Sequence, residues 1–321
     1  MPSITVQNDN ANIRLDAFLA NSGAYSSRSV AAKYCESGKV LVNGFSKVKK
    51  YKVAEGDTVE YEPEPDTFQI NGQDIPLDIR YEDEHLLVIS KQAGLVCHPA
   101  NKSDKCTLVH ALINHCGEDN LCDVSGQRWR LGIVHRLDAD TSGLMICCKT
   151  NEAAQKIMAD LKSHTINRHY KALLYGQFKI ETGKIDAPVM RITNGRPRMA
   201  VRDDFSAKDA ITTFTVLQNY PGDPAKLSGY RDGFSLIDCK LFTGRTHQIR
   251  THMEYINHPV VGDRLYTSGA PRGFNAEKLL GLKRQFLHSY KLEFKHPITG
   301  ENLQFTDDLA PDLDALLQQI R

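Results

Sequence analysis

The chain has 321 residues, with 40 lysines and arginines against 39 acidic residues and a net charge of +1. This length suffices for a large domain plus a small module, and the near-zero charge excludes capture of nucleic acid by overall charge. The eight cysteines form no Cys-x-x-Cys pair, and no run approaches the roughly 18 apolar residues of a membrane span. The N-terminus lacks the basic-then-apolar pattern of a signal peptide, so we expect a cytoplasmic protein with reduced thiols.

The first module is predicted to be a small α+β domain. A weakly amphipathic helix is predicted over residues 13–20, and a second helix begins at Ser26 or Ser27 as its N-cap. Gly38 ends this helix. Residues 39–44 are typical of a strand that enters an Asn-Gly hairpin turn.

The order of these elements resembles the S4 RNA-binding domain. The matching motifs are Arg14-Leu15-Asp16, Ser27-Arg28, Gly38-Lys39-Val40, Val42-Asn43-Gly44 and Gly56-Asp57. Between residues 28 and 52 the basic residues, opposed only by Glu36, are Arg28, Lys33, Lys39, Lys47, Lys49, Lys50 and Lys52. A cluster of mainly positive charges is typical of phosphate binding, so we predict that the first six of these basic residues bind RNA. The alternative is that these side chains are ordinary solvated surface residues.

The composition changes after the first module. An acidic, proline-containing stretch predicts a linker, and its residues are Glu60, Glu62, Pro63, Glu64, Pro65 and Asp66. We therefore place an S4-like domain at residues 1–62, a linker at 63–78 and a second domain at 79–321.

The second domain is predicted to be α+β. Strands are predicted at residues 84–91, 144–148, 170–175, 211–217, 234–241 and 286–294. Helices are predicted at about residues 106–116 and after Thr150 or Asn151, where Ala154, Ile157, Met158 and Leu161 form an apolar stripe. Because the strands alternate with loops more often than with helices, we expect a mixed, largely antiparallel sheet.

The most informative segment is His135-Arg136-Leu137-Asp138, which precedes a Thr141-Ser142-Gly143 turn and an apolar strand. It places a carboxylate and a guanidinium in irregular backbone at the mouth of a sheet, where ligand-facing groups usually lie. The alternative is that Asp138 caps a turn and that Arg136 pairs with it on the surface. The segment resembles the catalytic motif of the RluA-type pseudouridine synthases.

Three further segments resemble the same family in the same order. They are residues 168–176, which contain Tyr170; residues 243–252, which contain Arg245; and residues 285–289, which contain Leu287, ahead of His296-Pro297. On these four segments the chain is identified as a member of the RluA-type family. The resemblance implies the pseudouridine synthase fold over residues 79–321, preceded by the S4-like domain.

The resemblance also implies a reaction. Uridine becomes pseudouridine when the N1–C1′ bond breaks, the uracil turns and C5 bonds to C1′, with no redox change and no imported group. We therefore expect neither a cofactor nor a metal. By resemblance Asp138 is the catalytic carboxylate, Arg245 pairs with it, and Tyr170 packs on the uracil near C5. Whether Asp138 acts on C1′, on C6 or on the 2′ proton stays open.

A uridine inside folded RNA has to leave its stack to be modified. By resemblance Arg136 occupies the gap beside the flipped nucleotide, and Leu287 lines the uracil pocket. We place His135 with them as a substrate-binding residue. A second basic run is expected to hold the RNA backbone, and it consists of Lys162, Arg168, Lys171, Lys179, Lys184, Arg191, Arg196, Arg198 and Arg202.

Other classes of site fit less well. Cysteines and histidines crowd one region, but their spacing does not suit a structural zinc site; they are Cys97, His98, Cys106, His110, His115, Cys116 and Cys122. His252-Met253-Glu254 matches the His-x-Glu element of zinc deaminases, but the chain has no Pro-Cys-x-x-Cys partner for it.

Other functions remain as alternatives. A non-enzymatic S4-type RNA-binding protein would leave Asp138, Tyr170 and Arg245 unexplained, and a nucleoside hydrolase would not need two basic patches. An S4 domain ahead of the catalytic domain resembles the family members that act on large-subunit ribosomal RNA, and a tRNA-directed enzyme is the alternative. We expect a monomer with an RNA partner and no membrane association.

Overall fold

The computed structural model describes residues 1–25, 27–63, 70–99, 104, 106–124, 126, 128–193, 198–225, 227 and 229–321. The chain divides into two compact units, residues 1–69 and residues 70–321. Residues 64–69 of the predicted linker and Ser26, one of the two N-cap candidates, lie outside the described residues. In the part of the chain that is described, no helix has the length and apolar content to cross a membrane.

The first unit combines two helices with one four-stranded antiparallel sheet. The helices are α1 (Leu15–Asn21) and α2 (Arg28–Glu36). The strands are β1 (Ser3–Thr5), β2 (Val40–Val42), β3 (Phe45–Ser46) and β4 (Thr58–Tyr61), in the order β1-β4-β2-β3. Leu15, Phe18 and Leu19 of α1 share one buried core with Val40 and Val59 of the sheet.

Local chemistry explains the element ends in this unit. The Ser27 Oγ accepts a hydrogen bond from the Val30 N–H at 3.3 Å, so Ser27 is the N-cap of α2. Asn43 and Gly44 have φ values of 52° and 81°, as a two-residue type I′ hairpin turn requires. The Asn-Gly turn between β2 and β3 is therefore confirmed.

The second unit contains a large sheet, a separate hairpin and five helices among its described residues. The strands are β5 (Asp78–Glu82), β6 (Leu86–Lys91), β7 (Ser142–Cys148), β8 (Asn167–Tyr175), β9 (Thr182–Asp186), β10 (Val189–Ile192), β11 (Arg198–Val201), β12 (Ile211–Tyr220), β13 (Phe234–Leu241), β14 (Leu287–Lys295) and β15 (Asn302–Thr306). The helices are α3 (Leu108–Cys116), α4 (Asn151–Lys162), α5 (Gln248–Tyr255), α6 (Ala276–Leu280) and α7 (Pro311–Ile320).

The large sheet has nine strands in the order β5-β6-β7-β14-β8-β13-β12-β9, and β15 also pairs with β14. Among the described strands, β7 and β14 pair in parallel and the other neighbours pair antiparallel. β10 and β11 form a separate antiparallel hairpin. The predicted α+β class with a mixed, largely antiparallel sheet is confirmed.

Strand β7 is buried along its whole length, because both of its faces are covered. Leu144 and Ile146 of β7 pack in one cluster with Ala154 and Ile157 of α4. The predicted apolar stripe of α4 is only partly correct, since Met158 is 45% exposed.

The sheet order brings three distant segments together on neighbouring central strands. Ser142 begins β7 and pairs with His288 near the start of β14, so the loop before β7 lies beside the start of β14. On the other side of β14, Ser289 pairs with Tyr170 of β8. A Cβ on Gly143 would lie 2.2 Å from the Ser289 carbonyl oxygen, so only glycine permits this close approach of the strands.

Candidate active site

The loop that carries Asp138 is held in place by two buried cations. The Lys91 ammonium, at the end of β6, donates to the Ala139 carbonyl oxygen at 2.9 Å and to two further backbone carbonyls. The Arg284 Nη1 donates to the Asp140 carbonyl oxygen at 2.9 Å. Burial lowers the pKa of Lys91 to about 8. These contacts fix the two residues that follow Asp138, and thereby the position of its carboxylate.

The Asp138 carboxylate pairs with Arg250. The Asp138 side chain is 15% exposed, and its Oδ2 accepts a hydrogen bond from Arg250 Nη1 at 2.9 Å. The other two nitrogens of Arg250 donate to Asp263 at 2.6 and 2.9 Å. Burial opposes the charge of Arg250, but the Asp263 and Asp138 carboxylates outweigh it and raise the pKa of the guanidinium. Arg250 is thus held by one acid while it binds the other.

The pairing predicted for Arg245 is wrong. Arg245 is exposed, and its Nε donates to the Asp209 carbonyl oxygen at 3.0 Å. The physical reason is where α5 begins. Arg245 lies in the loop before the helix, whereas Arg250 is the third residue of α5 and projects from its buried first turns.

His247 and Tyr266 complete the surroundings of the carboxylate. His247 has a φ of 53° at the N-terminus of α5, and its Nε2 lies 3.8 Å from Asp138 Oδ1. Its Nδ1 is hydrogen-bonded to the Tyr266 hydroxyl at 2.9 Å. Burial lowers the pKa of His247 although the Asp138 charge opposes this, so the ring is neutral near pH 7. The Arg250 guanidinium lies 5.0 Å from the centre of the Tyr266 ring.

Tyr170 and Leu287 are each 4% exposed and lie on neighbouring strands. Leu287 pairs with Ala172, two residues beyond Tyr170 on β8. Burial raises the pKa of the Tyr170 hydroxyl, so the side chain is neutral in the free protein. The structure therefore brings both residues to the central strands beside the loop that carries Asp138.

Arg136 and His135 have different surroundings. Arg136 is exposed, and its Nη1 lies 3.4 Å from His98 Nε2 rather than on Asp138, so the surface pairing of Arg136 with Asp138 does not form. The His135 Nε2 accepts a hydrogen bond from the Ile146 N–H of β7 at 2.9 Å. Burial lowers the pKa of His135 to about 3, which keeps the ring neutral. His135 thus ties the loop that carries Asp138 to the strand behind it.

Several residues of the site were missed in the sequence. The residues are Lys91, His247, Arg250, Asp263 and Tyr266. Arg250 and His247 lie within the segment 243–252 that the motif comparison selected, but the sequence does not distinguish two arginines five residues apart. Asp263 and Tyr266 follow in a stretch without any motif, so no local signal could have found them.

The basic residues of the first unit are partly neutralised by acids. Asp16 pairs with Arg28 at 3.2 Å, Glu62 with Lys39 at 2.7 Å and Glu36 with Lys49 at 2.6 Å. Among the residues that the structure describes, no carboxylate pairs with the remaining predicted RNA contacts, which are Lys33, Lys47 and Lys50. The sequence had indicated only Glu36 as an opposing charge, because Asp16 and Glu62 lie outside the basic stretch.

The second basic run does not form one continuous patch. Arg168 is only 6% exposed, Arg198 pairs with Glu254 at 2.8 Å, and Lys184 lies on the edge strand β9. Arg196 lies outside the described residues. Neighbours in the sequence are here spread over two sheets and Arg168 is buried, so the run does not form the single basic patch that was predicted.

The cysteines and histidines between residues 97 and 122 are not gathered around one point. Within the described part of the chain, the one group of three possible ligand atoms within 4.8 Å consists of Glu82, His115 and Cys116. Glu82 already pairs there with Lys149 at 2.6 Å and with His115 at 2.8 Å.

Family models match both parts of the chain. A model described as RNA pseudouridylate synthase matches residues 85–255, and an S4 domain model matches residues 13–59. The first match contains Asp138, Tyr170 and Arg250.

Individual proteins are similar over the whole length. The chain is 37% identical over 319 residues to the uncharacterized RNA pseudouridine synthase YlyB of Bacillus subtilis (strain 168), which covers 99% of this chain and 97% of that protein. It is 38% identical over 321 residues to ribosomal large subunit pseudouridine synthase D of Nitrosomonas europaea, covering 99% and 87%. Among solved structures, human RNA pseudouridylate synthase domain containing 1 matches with a TM-score of 0.55 and 25% identity, covering 77% of this chain and 90% of that one.

Proposed function

The chain belongs to the RNA pseudouridylate synthase family, and we propose that it acts on large-subunit ribosomal RNA with Asp138 as its catalytic carboxylate. It is an RNA pseudouridine synthase, an enzyme that isomerises uridine in RNA to pseudouridine. Relatives that are similar over nearly the full chain are named for the ribosomal large subunit, which supports that substrate. The observation that supports Asp138 most directly is its hydrogen bond to the buried Arg250.

The chemistry asks for an ionised carboxylate close to the sugar. Breaking the N1–C1′ bond builds positive character on C1′, which a carboxylate stabilises or captures, as in the carboxylate glycosidases. Arg250 supplies a fixed positive charge beside Asp138, and its own position is fixed by Asp263. A partly desolvated carboxylate with such a partner keeps its charge, whereas one without a partner tends to take up a proton.

The remaining residues have roles in holding the nucleotide. Tyr170 and Leu287 lie on adjacent central strands, which suits stacking and apolar contact with a flat base. The exposed guanidinium of Arg136 is free to stack on bases beside a flipped nucleotide. In this proposal the neutral Tyr170 hydroxyl exchanges a proton with the base.

The S4 domain supplies RNA affinity in this proposal. Its unpaired lysines are exposed or half-buried and contact phosphates without reading sequence. The proposed boundaries are residues 1–62 for this domain, 63–78 for the linker and 79–321 for the catalytic domain. The enzyme works as a cytoplasmic monomer with no metal, no cofactor and no membrane partner.

The test is the substitution Asp138→Asn, which keeps the shape of the side chain and removes its charge. Isomerisation of an RNA transcript should fall by more than a thousandfold, while RNA affinity and thermal stability stay close to those of the parent. The matched control is Asp140→Asn, because Asp140 is exposed and two residues away. A loss of less than about tenfold, or about 1.4 kcal/mol of barrier, would rule out Asp138 as the catalytic group.

The substrate is tested separately. Large-subunit ribosomal RNA and bulk tRNA, each transcribed without modification, are incubated with the enzyme and mapped for pseudouridine. Modification of discrete uridines in the ribosomal RNA supports the proposal. Modification of tRNA alone would show that the enzyme is tRNA-directed.

A further inference from the structure

Arg168 is a buried cation without an acidic partner. The residue is 6% exposed, and its buried Nε has no hydrogen-bond partner. Among the described residues no ion pair joins Arg168 to a carboxylate, and burial lowers the pKa of the guanidinium. Burying a guanidinium without a partner is unfavourable, and proteins rarely retain such a group unless something else binds it.

The surroundings of Arg168 belong to the active site. Tyr170 lies two residues further along β8, and both side chains are buried. His135, on the loop that carries Asp138, is close enough for the Arg168 charge to disfavour its protonation. Two segments that the proposed reaction uses, β8 and the loop that carries Asp138, therefore meet at this guanidinium.

Gly244 provides the space that the Arg168 guanidinium occupies. A Cβ at position 244 would lie 2.9 Å from Arg168 Nη1, which is closer than real Cβ atoms come to their neighbours. Gly244 is not among the glycines with positive φ, so its backbone does not demand glycine. A side chain at position 244 would therefore displace the guanidinium.

The neighbouring histidine also presents a donor. His135 Nε2 accepts the Ile146 N–H, so the proton of the neutral ring is on Nδ1. This Nδ1 is buried and has no partner among the described residues. Arg168 Nε and His135 Nδ1 are thus two buried donors for which the described residues offer no acceptor.

We propose that Arg168 binds an anionic oxygen of the target nucleotide, and that this oxygen belongs to the uracil as it leaves C1′. The inference rests on the proposed function. When the N1–C1′ bond breaks, its electron pair stays on the uracil and the charge spreads over N1, O2 and O4. C5 then bonds to C1′, the C5 proton leaves and N1 takes up a proton, so atoms and charge balance and the product is an isomer of uridine. A backbone phosphate is the other source of such an oxygen, but the deep position of Arg168 favours the base.

The experiment compares Arg168→Met and Gly244→Ala with the parent enzyme. Gly244→Ala keeps the charge and displaces the guanidinium. The control is Arg264→Met, which removes a guanidinium that is 67% exposed and pairs with Glu277. For each protein, the single-turnover rate is measured at saturating RNA, and the dissociation constant is measured across a range of salt concentrations.

For a uracil oxygen, the single-turnover rate of Arg168→Met should fall about 10- to 100-fold, with an unchanged dissociation constant and salt dependence. The single-turnover rate of Gly244→Ala should also fall, and Arg168→Lys should retain part of the rate that Arg168→Met loses. If the bound oxygen belongs to a phosphate, the dissociation constant of Arg168→Met should rise, and the salt slope of its RNA binding should become shallower by about 0.7–0.9. That result would retain the anion site but assign it to the RNA backbone.

Thermal unfolding separates binding from a structural role. Because Arg168 has no acidic partner, Arg168→Met should keep or raise the melting temperature, whereas loss of a structural ion pair would lower it. An unchanged rate and affinity in both variants would overturn the inference. An inactive parent enzyme on every RNA would instead contradict the proposed function, so the two failures are distinguishable.

Discussion

Replacing Arg250 by Met tests the ion-pair arrangement around Asp138. Arg250 makes one hydrogen bond to Asp138 and two to Asp263, at distances between 2.6 and 2.9 Å. Loss of a hydrogen bond to a charged group costs about 1.5–3 kcal/mol, which corresponds to a rate decrease of about 10- to 100-fold. We expect at least this decrease, because the Asp138 carboxylate also loses its fixed orientation.

The stability effect comes mainly from Asp263. Its side chain is fully buried, and without Arg250 its Oδ2 keeps no partner, although Oδ1 still accepts the Leu265 and Tyr266 N–H groups. Removing one member of a buried pair costs about 3–5 kcal/mol. The double variant Arg250→Met with Asp263→Asn removes the unpaired charge and should recover part of this stability without recovering activity.

The assay combines urea unfolding with release of the C5 proton from labelled uridine in an RNA transcript. Arg245→Met is the matched control, because it removes an exposed guanidinium five residues away whose side chain donates to one backbone carbonyl. This variant should lose less than about 1 kcal/mol of stability and should retain more activity than either Arg250 variant. Greater loss of activity in Arg245→Met than in the double variant would refute the assignment of Arg250 as the partner of Asp138.

Three further predictions use independent measurements. Tyr170→Phe should keep RNA affinity and slow release of the C5 proton, and a parental rate would exclude an acid–base or positioning role for the hydroxyl. Replacing Lys33, Lys47 and Lys50 together by Gln should flatten the salt slope of RNA binding by about two to three units, and an unchanged slope would mean that they are only solvated. His135 has a pKa of about 3 when folded and a reference value of 6.5, so it stabilises the fold above pH 6.5 and this stability is lost as the pH falls towards 3. In equilibrium unfolding across this range, His135→Gln should flatten the pH dependence by up to about 1.4 kcal/mol per pH unit, and an identical slope would contradict a buried neutral ring.

Features that depend on neighbouring residues could be predicted from the amino-acid sequence. The strand predicted at residues 234–241 is Phe234–Leu241, the Asn-Gly turn lies where it was expected, and Thr150 is the N-cap of α4. Alternation, capping and turn conformation are properties of a few consecutive residues, so a short window contains all the information that they need. Short edge strands such as β5, β9 and β15 were missed, because their half-exposed residues give a weak pattern.

Some residues of the candidate site could also be predicted from the sequence. The four motif segments selected Asp138, Tyr170 and Leu287. The fold brings the segments of these residues together through the pairing of β14 with β7 and β8. Motifs identify such residues because each lies in a recognisable local run.

Which arginine pairs with Asp138 became known only from the folded chain. Arg245 and Arg250 carry the same charge, but only Arg250 projects from the buried side of α5 towards a residue 112 positions earlier in the chain. The same holds for Arg168, which looked like one more surface cation in a basic run and is buried without an acidic partner. The strength of a charge interaction depends on the distance, direction and burial of both partners, and these quantities exist only once the chain has folded.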